Sequence, residues 1–213
     1  MASMTRLDGR PRRPQIPRMI AAPFRLVLVI CALLAAPASG VRAEINLLSN
    51  DKLIEAVKAN DYRTVEELLT RGHDANVSDE NGRTSLMLAA ASGYEDVAEV
   101  LVRNRAGLNA ADKFGNSALY YAAASDNVGV IQILKKAGAN INILNREGAT
   151  PLMVAAAEGH IAAIHALLDA KADLSLTDYT GRTARDWAER NRRSAALRVL
   201  DRALEAGSGP RTN

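Results

Sequence analysis

The chain of 213 residues holds one cysteine, Cys31, close to its start. The rest can therefore form no disulfide and present no cysteine ligand or nucleophile. A lack of thiols is compatible with an oxidising compartment. Aromatic residues are also scarce, at 4% of the chain. The apolar content is largely Ala, Leu, Val and Ile, too small-sided for one bulky globular core. It suits thin elements packed close together, each touching only its neighbours. Hydrophobic runs are short. The run from Leu26 to Ala36 has eleven residues, well under the roughly 20 that span a bilayer. Signatures of catalysis are missing as well. No serine sits in a nucleophile elbow and no glycine-rich loop fits a phosphate. Of the three histidines, His160 and His165 are spaced i,i+5, which places them on different helix faces and excludes the i,i+4 zinc arrangement. Paired acids such as Glu66-Glu67 and Glu95-Asp96 read as solvated faces or helix N-terminal charges. No catalytic residue, metal or cofactor is expected, and the chain reads as a non-enzyme.

An excess of one charge is also lacking once the start of the chain is set aside. The formal net charge is +3, but residues 1–43 hold seven arginines and one acid, Asp8, leaving 20 basic and 23 acidic residues beyond them. Global charge thus gives no reason to invoke nucleic acid. Arg182, Arg185, Arg190, Arg192, Arg193, Arg198 and Arg202 form a basic end, read as a solvated face.

Residues 1–43 have the order of a secretory signal peptide: basic start, apolar core of eleven residues, then a small-x-small ending at Val41-Arg42-Ala43. Cleavage is expected after Ala43, or else after Ala38. An uncleaved N-terminal anchor is the alternative, although the small-residue ending has no purpose in an anchor. The stretch from Met19 is itself a complete signal peptide, so Met1, Met4 and Met19 are all candidate starts. The expected location is periplasmic or secreted.

From there the chain keeps a period. Gly82, Gly115, Gly148 and Gly181 are each 33 residues apart. Asp79, Asp112, Asn145 and Asp178 keep the step, as do Ala89, Ala122, Ala155 and Ala188, and Leu68, Leu101, Leu134, Leu167 and Leu200. A fixed period of this size marks one unit that stacks on the next. In each unit glycine makes a turn, Thr or Ser caps a short helix, and a second helix follows. Pro151 suits a first helical turn. The predicted units are 48–79, 80–112, 113–145, 146–178 and 179–204, with a disordered tail at 205–213. The position one step before Gly82 is Ser49, so the first unit reads as an N-terminal cap. Arg185 replaces the repeated leucine in the last, which reads as a C-terminal cap. Gly72 and Gly138 end their second helices at positive φ. Arg105 and Lys171 stand at the same register, and a different helix ending is expected at Arg105 because Gly107 follows.

The pattern Gly-x-Thr-x-Leu-x-x-Ala-Ala closely resembles the ankyrin repeat, a β-turn and two helices over 33 residues, across residues 48–204. The resemblance implies an all-α solenoid of about five units including caps. It departs at Arg105, Lys171 and Arg185, as above, and at the signature histidine. The signature His is absent, its positions being Met87, Tyr120, Met153 and Asp186, so its hydrogen bonds between turns must be replaced or omitted. The resemblance further implies a protein-binding module whose concave face is lined by turn tips and the ends of the first helices, here Ser92, Ser125, Glu158 and Asn191; a monomer is expected. The expected partner-binding residues are Glu80, Asn81, Arg83, Lys113, Phe114, Asn116, Arg146, Glu147, Tyr179 and Arg182. Ala149 and Thr180 also lie on tips. Phe114 either faces solvent or folds sideways onto a neighbouring turn. Tyr120, Tyr121 and Trp187 are expected to pack first. Two further partners are open: a periplasmic redox or cofactor enzyme that the chain supports, or a toxin or host protein.

Overall fold

Helices Tyr62–Thr70 (α2), Ser85–Ser92 (α3), Glu95–Arg103 (α4), Ala118–Ala124 (α5), Val128–Ala137 (α6), Pro151–Glu158 (α7), Ile161–Asp169 (α8), Ala184–Arg190 (α9) and Ser194–Gly207 (α10) alternate along the chain, after a helix at 52–58 (α1). The computed structural model describes residues 52–207. The leader at 1–43, Ser49 and residues 208–213 lie outside them. The last helix reaches Gly207, beyond the expected limit of 204, because Ala203 to Ala206 contain no breaker.

Two rows of helices result. α3, α5, α7 and α9 stack on one another; α2, α4, α6, α8 and α10 form the second row. Why these residues give this arrangement is visible at the register positions. Thr84, Ser117, Thr150 and Thr183 are extended N-cap residues whose hydroxyls accept from the N–H three residues on. Ala89, Ala122, Ala155 and Ala188 are fully buried, so a larger side chain there would force neighbouring helices apart. Leu101, Leu134, Leu167 and Leu200 are also fully buried; truncating one to Ala costs about 2–5 kcal/mol.

Both ladders also act through their carbonyls. Tyr94, Asn127, His160 and Arg193 donate their N–H to Ala89, Ala122, Ala155 and Ala188; His73, Ala106, Ala139 and Ala172 donate to Leu68, Leu101, Leu134 and Leu167. Such 6→1 bonds close a helix and demand a residue of positive φ just before the donor. Among the described residues every positive φ falls on one of three ladders of step 33: Asn60, Gly93, Asp126, Gly159, Arg192; Gly72, Arg105, Gly138, Lys171; and Gly82, Gly115, Gly148, Gly181. The expectation of a different ending at Arg105 is therefore corrected. Arg105 takes φ 63 and its helix closes like the others, with Ala106 N–H on Leu101 O at 3.0 Å. Gly107 is committed elsewhere: its N–H donates to Asn76 Oδ1 at 2.7 Å. That bond belongs to another ladder, since Asn140 N–H meets Asn109 Oδ1 and Asp173 N–H meets Asn142 Oδ1, both at 2.9 Å.

The missing histidines are partly replaced. Thr84 and Thr150 N–H reach the sulfurs of Met87 and Met153 at 3.3 and 3.4 Å. Thr183 N–H reaches Asp186 Oδ2 at 2.8 Å. Arg185, at the register of the repeated leucine, joins the last two described helices, its Nε on Asp201 Oδ1 at 2.7 Å and Nη1 on Glu189 Oε2 at 3.0 Å. Side chains in the first-helix loops also strut one unit to the last. Asn127 Nδ2 donates to Ala90 O, His160 Nε2 meets Ala124 O, and Arg193 Nε donates to Ala157 O. Among the described residues no helix is long and apolar enough to cross a membrane.

Candidate functional site

The four turn tips owe their shape to one carboxylate or amide each. Oδ1 of Asp79, Asp112, Asn145 and Asp178 accepts the N–H groups two and four residues on, at 2.8–2.9 Å. The glycine N–H returns to the carbonyl of the same acid or amide at 2.9–3.1 Å. Positive φ at the glycine makes this loop close. Tips then join to one another. Arg146 N–H donates to Phe114 O and Tyr179 N–H to Glu147 O, both at 3.1 Å. A Cβ on Gly115 or Gly148 would sit 2.7 Å from those donor nitrogens, so glycine is required there twice over. The first joint differs: Lys113 Nζ reaches Glu80 O at 2.6 Å.

On this rigid rail the expected site residues fall into two groups. Some are spent on the fold. Arg83 turns back onto Asp79, with Nε 2.9 Å and Nη2 2.8 Å from Oδ2. Asn116 Oδ1 accepts from Asn145 Nδ2 at 2.9 Å, and Lys113 is tied to Glu80. Others are free on the surface: Glu80, Asn81, Arg146 and Glu147 are exposed. Phe114 is 66% exposed and Tyr179 is 73% exposed, which answers the open question about Phe114. Tyr179 also lies beside Gly148, whose Cβ would be 2.8 Å from its ring. Arg182 is half-buried and makes no ion pair among the described contacts.

The second oxygen of each turn acid is taken as well. Tyr121 donates its hydroxyl to Asp112 Oδ2 at 2.5 Å, and Trp187 donates Nε1 to Asp178 Oδ2 at 2.9 Å. These two aromatics are thus packing residues with a polar task. Burial first, then the Asp112 hydrogen bond, push the Tyr121 hydroxyl up to about 12. Burial would raise the Asp178 carboxyl, but donors from Thr180, Arg182 and Trp187 outweigh it and hold it at about 2. Tyr120 is raised by burial and by the negative charges of Glu147, Glu158 and Asp112.

Between the last two tips a cavity of about 410 Å³ opens, lined by Glu147, Asp178, Tyr179, Thr180, Arg182, Trp187, Arg190 and Asn191. Glu147, Tyr179 and Arg182 are expected on this surface from the sequence, and Asn191 at its helix end. Arg190, expected on a solvated face, and Trp187, expected in packing, join them here. Their spacing of three residues on one short helix was the available signal. Among the described residues no cluster of three His, Cys, Asp or Glu is placed to hold a metal.

Comparison with known proteins agrees with this architecture. A family model described as ankyrin repeats in three copies matches residues 53–145 and 130–206. Two ankyrin repeat proteins of Rickettsia felis are each 41% identical over 51 residues, which is 24% of this chain and 81% and 77% of their own lengths.

Proposed function

We propose that this chain, which belongs to the ankyrin-repeat family, captures another protein on the face built from its turn tips and first-helix ends, in an exported compartment. Ankyrin repeats are protein–protein interaction modules that offer extended surfaces of this kind. One observation carries the choice of face. Phe114 and Tyr179 hold large rings in solvent on tips whose own hydrogen bonds are complete without them. Exposed aromatic and arginine side chains on a rigid support are the usual energetic centres of an interface. Four tips give room for a standard interface of about 800 Å² per partner. Export is supported by the order of basic, apolar and small residues in 1–43.

The test is capture from the exported fraction with wild-type and Phe114→Ala/Tyr179→Ala chains, read by mass spectrometry. The double variant should lose the partner while its thermal melt stays within about 2 °C of wild type, since neither ring is buried. Retained capture would move the site off the tips. Fractionation and N-terminal sequencing should find a mature start at Glu44; an unprocessed cytoplasmic chain would refute export.

A further inference from the structure

We infer that the cavity between the last two tips reads a carboxylate: it takes an Asp or Glu side chain of the partner protein between Arg182 and Arg190, with the adjoining partner chain lying on Tyr179 and Trp187. The inference rests on the proposal that the tips bind a protein, and it names the chemistry that one subsite recognises.

Arg182 stands at the register of Arg83, two charged residues on equivalent tips. Arg83 is folded back onto Oδ2 of its own turn acid, Asp79. Arg182 is not, because that oxygen of Asp178 already holds Trp187 Nε1. The other oxygen of Asp178 is filled by Thr180 N–H, Thr180 Oγ and Arg182 N–H. At the first tip the register position of Trp187 is Leu88, which has no donor, so the arginine takes the acid. At the last tip the indole displaces the guanidinium and leaves it at the cavity.

Arg190 adds a second charge. It ends α9, is exposed, and lines the same cavity. Neither arginine makes an ion pair within 4 Å among the described residues, whereas Arg71, Arg83, Arg103, Arg185 and Arg193 do. Two unpaired planar guanidiniums beside a cavity match a carboxylate, which each can hold bidentately. The indole of Trp187 and the ring of Tyr179 supply the apolar wall that excludes water from such a pair. Glu147 lies on the opposite tip. It disfavours a free multivalent anion and leaves room for a donor on the partner chain next to its acid.

The experiment selects a phage-displayed random peptide library on the purified chain. Enriched peptides should share an Asp or Glu at one fixed position. The synthetic leading peptide should bind at least about tenfold more weakly to Arg182→Ala and to Arg190→Ala, and equally so when its acid becomes the amide. Trp187→Leu, which frees Asp178 to take Arg182 as Asp79 takes Arg83, should weaken it as well. Selection on Arg182→Glu/Arg190→Glu should enrich Lys or Arg at the fixed position. Melting curves of the two alanine variants should stay within about 2 °C of wild type, because neither guanidinium makes a hydrogen bond or an ion pair within 4 Å among the described residues. Enriched peptides that lack a fixed acid, or that bind the alanine variants unchanged yet fail on Phe114→Ala/Tyr179→Ala, would overturn the subsite and leave the tip face standing. Absence of any enrichment would overturn both.

Discussion

Exchanging glycine and lysine between equivalent helix ends should move stability by a predictable amount in opposite directions. Gly138 and Lys171 both end second-row helices at positive φ, 87° and 66°, with the same 6→1 bond beside them. A Cβ on Gly138 would meet nothing within 4 Å, so the surroundings are neutral and the backbone alone decides. Left-handed φ costs a residue with a side chain about 1–2 kcal/mol. Glycine gives back about 0.4–1 kcal/mol through its freer unfolded chain. Lys171→Gly should therefore stabilise by about 0.5–1 kcal/mol, and Gly138→Lys should destabilise by the same amount. For a domain of this size that is about 1–4 °C in Tm, and urea midpoints should shift with m unchanged. Gly115→Ala is the crowded contrast. Its Cβ would sit 2.7 Å from Arg146 N, so it also disturbs the bond to Phe114 O and should cost more than about 2 kcal/mol. At Gly181 nothing lies within 4 Å of a Cβ, and Ala there should pay only the backbone term. A Lys171→Gly chain less stable than wild type, or equal costs at Gly115 and Gly181, would refute the reasoning.

Acid titration should expose the last turn. The Asp178 carboxyl lies near 2 when folded against an ordinary 3.8, so its stabilisation is present above about pH 4 and is lost as pH falls through 2. Trp187→Phe removes one donor, so its Tm deficit relative to wild type should be full at neutral pH and narrow towards pH 2. His160→Ala removes the strut to Ala124 O and should cost about 0.5–1.5 kcal/mol by urea denaturation. His160→Asn should restore most of it, since Asn127 makes the equivalent bonds to Ala90 and Ala91.

The repeat and its turns were legible because each is marked by residue identity. Gly, Asp or Asn, Thr or Ser, Ala and Leu recur where only those chemistries serve. Of the other two ladders of positive φ, the one through Gly72, Arg105, Gly138 and Lys171 was half-marked by its two glycines, and the third was hidden for the converse reason. Asn60, Gly93, Asp126, Gly159 and Arg192 share a backbone conformation and no side-chain type, and the stack imposes that conformation through bonds that ignore the side chain. Arg105 misled for this reason, its propensity being overruled by the Leu101 carbonyl. The struts were equally concealed: Asn127, His160 and Arg193 look unrelated until each is seen to present an N–H to the preceding helix. Phe114 and Tyr179 were legible as tip residues from turn position, but not their exposure, since Ala149 is also on a tip and is buried. The cavity was not, because Glu147, Tyr179, Trp187 and Arg190 come from two units and meet only after stacking.

Turn acids and their donors explain why the four tips, built alike, do not present alike surfaces. Each acid has one oxygen left after the turn is closed, and two register positions compete for it. At the first tip Arg83 takes it, and Leu88 offers nothing. At the second Tyr121 takes it, and Asn116 turns to Asn145 instead. At the third the acid is itself an amide, and the competing positions are Ala149 and Val154, both buried. An aspartate there would place a carboxylate among groups with no second donor, so asparagine and the two apolar residues form a consistent set. Only at the fourth do two donors compete of which one is charged, Trp187 and Arg182. The indole is held on its short helix by packing and loses less freedom in bonding than a flexible arginine does. The displaced guanidinium goes to the surface. A frame that repeats every 33 residues thus releases a charged donor at one place, beside the cavity where Arg190 stands.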